Sequence, residues 1–207
     1  MTDTLTVPAP TAAAPAAATA RIEPGIPLPL GLAGFGMTAL VLSAINAGIF
    51  DAAITPVVLP MAFFFGGITV IIAGMWAFAR GETFPAVAMS ALGSFWVVFA
   101  VLERFVVPGL PADVVGQAMG AYLLVWTVFA VGACIPAART NVAVFAVVLG
   151  TALTFAALAI ANLAGLSTMV TVGGVLGLLT GLTAVYTAVA ILTNDMYGSE
   201  RMPVKHL

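Results

Sequence analysis

Asn46 and Asn162 are amides set in stretches that are otherwise almost wholly apolar. Each brings N–H donors and a carbonyl acceptor, but no charge. In a helix, residues eleven apart share a face and lie about 16 Å apart. Phe35, Leu42 and Asn46 therefore form one stripe, with Thr38 beside it. Thr151, Leu158 and Asn162 form a second, with Thr154 beside it, and Leu92 stands eleven residues before Glu103 in a third stretch. Two matched stripes that each end in an amide predict an outer vestibule, where neutral donors meet a small polar solute. An asparagine in a membrane helix also serves as glue to a neighbouring backbone. The matched depth and spacing shift the reading modestly towards the vestibule.

The elements that must position these residues follow from composition. The chain has 207 residues, 62% hydrophobic and 7% charged. A soluble domain carries about 25% charged residues, so this is an integral membrane protein. No basic patch exists to attract nucleic acid. Residues 1–26, rich in Ala, Pro and Thr, read as a disordered tail, and residues 199–207 as a second tail. Between them, residues 27–198 divide into six spans of about 20 residues each. These are Leu30–Phe50, Val57–Phe78, Phe84–Val107, Gly116–Ile135, Val142–Leu163 and Met169–Leu192, the last ending before Asn194-Asp195. Thr55-Pro56 and Thr83 with Pro85 look like helix starts. Short loops make neighbouring spans antiparallel. Arg21, Arg80, Arg139, Arg201 and Lys205 share one side and Arg104 stands on the other, which puts both termini in the cytoplasm. A bacterial inner membrane is the expected location.

No Asp, Glu, Lys, Arg or His lies in the middle of a span. Pumps and proton relays place such groups at mid-membrane, so a primary pump or a carboxylate-based antiporter is disfavoured. No P-loop, dinucleotide fingerprint, HExxH or nucleophile elbow occurs. Neither catalysis, nor a cofactor, nor a metal is expected. Cys134 is alone, which excludes an intrachain disulfide. Gly173, Gly177 and Gly181 make two overlapping GxxxG steps, read as close helix packing, and the Phe63–Gly67 run is read as lipid or interface packing.

Several ordered segments resemble the acetate uptake transporter family, also called succinate–acetate permeases. They are Pro27-Leu28-Pro29-Leu30-Gly31-Leu32, Gly34-Phe35-Gly36-Met37-Thr38, residues 64–84, Gly93-Ser94-Phe95-Trp96, residues 158–165 and residues 181–198. The resemblance implies six spans per subunit, a homohexameric ring in the lipid membrane, and one pore in each protomer. It implies acetate, with succinate or related small carboxylates, as substrate. The N-terminal signature falls on Pro27, Pro29, Leu30 and Gly31, with Ile26 in place of the family's Asn. The family's constriction of Phe, Tyr and Leu falls on Phe35, on Leu92 in place of Tyr, and on Thr151 or Leu149, with Gly150 also open. Losing the Tyr removes a hydroxyl from the neck. The expectation is therefore a channel or transporter in which a small carboxylate crosses an apolar constriction, with or without a proton. A urea or small-amide channel and a membrane sensor or assembly protein are the alternatives.

Overall fold

The computed structural model describes residues 25–204. Most of the predicted N-terminal tail, together with Lys205 and His206, lies outside the described residues. Among the described residues, six helices are long and apolar enough to cross a membrane: α1 Leu28–Asn46, α2 Ala52–Ala79, α3 Thr83–Gly109, α4 Ala112–Ala137, α5 Val142–Ala164 and α6 Ser167–Tyr197. The protein is a multi-pass, all-helical membrane protein.

Helix limits differ from the sequence reading where a local bond decides them. α1 stops at Asn46 because Gly48 takes φ +78°, a left-handed turn that costs glycine little. The Gly48 and Ile49 amides then donate to Ile45 O and Ala44 O, each at 2.9 Å. The Thr55-Pro56 start gives way to Asp51, whose carboxylate accepts from the Ala53 N–H at 2.8 Å and caps the first turn of α2. α6 runs past Asn194-Asp195 to Tyr197. Asn194 does not end it, because both the nitrogen and the oxygen of its amide are engaged by the returning chain. Asn194 Nδ2 donates to Met202 O at 2.8 Å, and its Oδ1 accepts from the Arg201 and Met202 amides at 2.7 and 2.9 Å. Tyr186 OH donates to Pro203 O at 3.0 Å. Residues 199–204 are thus pinned back against α6.

α1 and α6 are the most closely packed pair, and glycine sets their approach. A Cβ on Gly36 would stand 3.0 Å from Gly181 O, and one on Gly181 would stand 3.0 Å from Gly36 O. A side chain on either would force the helices apart. α2 and α3 are not uniform α-helix. α2 passes through a wide π turn at Phe64–Thr69, and α3 through another at Leu102–Val106. In the first, Gly66 lies against Thr38 of α1 and Gly67 against Val97 of α3. The Phe63–Gly67 run is therefore split: Phe64 is 63% exposed, and the two glycines are a buried joint between three helices.

Candidate functional site

Two internal spaces lie in line through the bundle. The larger has a volume of about 260 Å³ and the smaller about 40 Å³. The larger is walled by Ala39, Leu42, Ser43 and Asn46 of α1, by Phe95, Trp96, Phe99 and Glu103 of α3, and by Thr151, Thr154, Phe155, Leu158 and Asn162 of α5. The smaller uses Leu28, Gly31 and Leu32 of α1, Phe84, Ala88, Met89 and Leu92 of α3, and Val144, Val147 and Val148 of α5. On all three helices the residue numbers rise from the small space to the large one. α1, α3 and α5 therefore run parallel. The α6 residues on the large space, Val170, Gly177 and Thr180, come from the first half of that helix, so α6 runs the other way.

Phe35 belongs to both spaces. It is 5% exposed, and its side chain is the one residue their walls share. Below it no polar side chain lines the wall, since the small space is bounded by aliphatic and aromatic residues, glycine and proline. Above it the wall mixes aromatic rings with hydroxyls, amides and one carboxylate.

The hydroxyls are oriented by their own helices. Thr151 Oγ1 donates to Val147 O, Thr154 Oγ1 to Gly150 O and Thr180 Oγ1 to Leu176 O, each at 2.8 Å. A hydroxyl spent this way keeps only lone pairs for a guest. Asn162 Nδ2 donates to Leu158 O at 2.9 Å, which leaves one N–H and the carbonyl. Among the described residues, no hydrogen bond engages the side chain of Asn46, which borders the large space, so its amide is uncommitted. Trp96 is 3% exposed, and its indole N–H meets no acceptor among the described residues.

The aromatic side of the wall is a packed block around Phe95. Its ring stands 4.5 Å from Phe155 and 5.4 Å from Tyr122, nearly parallel to the latter, with Trp96 and Trp126 edge-on at 5.2 and 5.5 Å. Tyr122 OH donates to Phe95 O at 2.6 Å, tying α4 to α3. Edge and offset stacking of this kind adds about 0.5–1.5 kcal/mol per pair beyond burial. The wall behind the large space is therefore stiff. Sequence reasoning missed Phe95, Phe99 and Phe155. Their signal was present, because 92, 95, 96, 99 and 103 follow one helical stripe and Phe155 sits one turn beyond Thr151.

The remaining sequence candidates fall in different places. Asn46, Asn162, Thr151 and Thr154 come together on the large space, and Leu92 and Gly31 on the small one. Leu149 lines neither and is 39% exposed on the outside of the bundle. Thr38 is fully buried, donates to Gly34 O at 2.8 Å, and packs against Gly66. Pro27 is buried, Pro29 is half-buried and Leu30 is 45% exposed.

The family model described as GPR1/FUN34/yaaH matches residues 10–207. The chain belongs to the GPR1/FUN34/yaaH family. It is 35% identical over 181 residues to the succinate-acetate/proton symporter SatP of Escherichia coli K12, covering 86% of this chain and 94% of that one. It is 37% identical over 172 residues to ammonia transport outward protein 2 of Saccharomyces cerevisiae, covering 79% of this chain and 60% of the yeast protein. The solved structure of the bacterial acetate channel SatP superposes with a TM-score of 0.82 at 32% identity, covering 88% of this chain and 99% of that chain. The resemblance read from the ordered motifs is thus confirmed.

Proposed function

We propose that the chain carries acetate and related small carboxylates across a cell membrane, through the two aligned spaces and past Phe35. The observation that carries this reading is the shared ring: Phe35 lines both a polar-walled chamber and an oily one along three parallel helices. The names of the Escherichia coli relative and of the solved channel supply the substrate class. The neck consists of Phe35 and Leu92, with Thr151 rather than Leu149 on the α5 side. Asn46, Asn162 and Thr154 receive the solute. An oily neck penalises a hydrated ion, because lost hydration is not replaced. No fixed cation lines the path to hold an anion, which suits weak binding and fast release.

The large chamber opens outward in this reading and both termini are cytoplasmic, since the arginines favour the opposite end. The compartment is a bacterial inner membrane. We also assign a homohexameric ring. It is supported by α4, which buries only 22% of its most apolar window within the protomer. Cross-linking in native membranes, read as a six-rung ladder, tests that assembly.

Transport itself is tested with purified protein in vesicles. Labelled acetate should enter faster than into empty vesicles, with propionate or succinate competing and urea not. Competition by neutral methylamine or urea instead would favour the uncharged-solute reading that the yeast relative's name suggests. No protein-dependent flux of any solute would leave a packing or sensing role.

A further inference from the structure

Among the described residues, Glu103 is the only ionisable side chain on the wall of either space. Its position is paradoxical for a carboxylate path, since the solute and the wall then carry the same charge. Glu103 is half-buried at the Asn46–Asn162 end of the large chamber, on the π turn of α3. Its charge is not cancelled within the described residues. Arg104, the next residue, sits over the Phe105 ring at 5.3 Å on the exposed side of the helix. α1, α5 and the rest of α3 contribute no titratable group to the wall. α4 contributes Asp113, which is exposed in its first turn, Tyr122, which is bonded to Phe95 O, and Cys134, and none of these lines the chamber. Asp51 caps α2 and is exposed, and Asp195 lies at the far end of α6.

Two carboxylates that share one site cannot both stay ionised, so one proton is held between them. Resting on the transport reading above, we propose that Glu103 is the proton-linked filter of the chamber, admitting a carboxylate only together with one proton. The balance is simple. The anion and the Glu103 carboxylate take one proton from the outer solution and form a singly charged hydrogen-bonded pair. The solute then leaves inward as the neutral acid, Glu103 remains a carboxylate, and no charge enters the oily space below Phe35. The threonine hydroxyls fit this guest. They are already donors to their own helices and can only accept, and a neutral acid has an O–H to give them, whereas an anion has none. A dianion such as succinate needs a second proton to cross as the neutral acid, so it competes less well as pH rises.

The test is acetate uptake into vesicles, less the empty-vesicle background, as a function of external pH. For the native protein, half-saturation in total acetate should rise about tenfold per pH unit above neutrality. In Glu103→Gln, which keeps size and hydrogen bonding, that rise should shrink below about twofold per unit, and succinate should compete better at neutral pH. Glu103→Asp keeps the carboxylate and should keep the steep slope, which a merely structural role would not predict. A Glu103→Gln protein with the native slope overturns the proposal. If that variant does not fold, the native protein decides alone, because a flat native half-saturation overturns it as well. Absence of any protein-dependent acetate flux in the native protein would instead remove the transport reading itself.

Discussion

The two chambers are built on the same three helices, yet they differ in every respect that matters to a guest. The upper one is about 260 Å³ with hydroxyls, amides and a carboxylate on its wall, and the lower one is about 40 Å³ and wholly apolar. On α1 the change takes place across about two turns, from Gly31 and Leu32 below Phe35 to Ala39 above it. In the proposed path the difference makes recognition and exclusion separate jobs, done at separate depths. The upper wall can exchange a solute's water for protein hydrogen bonds. The lower wall offers nothing in exchange, so only a small and neutral body passes cheaply.

The largest effect should come from closing the lower chamber. A Cβ at Gly31 would already collide with the Met89 thioether, and Gly31→Leu should bring acetate flux to the empty-vesicle level while the folded protein is still recovered. Phe35→Ala attacks the shared ring itself. It should merge the chambers and raise the flux of a longer acid such as butyrate relative to acetate by roughly tenfold, the worth of a methylene-sized fit. Unchanged selectivity would show that the two spaces are not divided there. The upper wall should yield smaller effects. Asn46 has its whole amide free, whereas Asn162 has spent one N–H on Leu158 O. Asn46→Ala should therefore raise half-saturation several-fold, by about 1 kcal/mol for one lost hydrogen bond, and Asn162→Ala less. Equal effects would make the amides interchangeable and the chamber's wall less specific than described. Least of all, Leu149→Ala should change neither flux nor selectivity, because its side chain lies outside both spaces. A clear loss there would move the α5 side of the neck from Thr151 to its outward-facing neighbour.

Much of this architecture was legible in the residues. Hydropathy and breakers place all six helices within a few residues at most ends, because a span's length is fixed by the membrane rather than by its partners. The eleven-residue spacing brings Asn46 and Asn162 to one chamber, since a helical face is a property of the sequence alone. The π turns at Phe64–Thr69 and Leu102–Val106 were not legible. They answer to neighbours, Thr38 and Val97 in the first case, that no local pattern names. Asn194 looked like a terminator, because its type breaks helices, until the returning chain at Arg201 and Met202 occupied its amide. The block around Phe95 was missed for a related reason. Periodicity says which rings share a face, but not which rings from other helices meet them.

With one ring shared by the walls of both chambers, the proposed path requires no rocking of one half of the bundle against the other. A rotamer hop of Phe35 would suffice to connect the two sides. Side-chain hops are far faster than the microsecond-to-millisecond travel of whole domains. A gate of that kind would leak briefly and often, so its throughput would follow the supply of solute at its mouth rather than a slow conformational cycle.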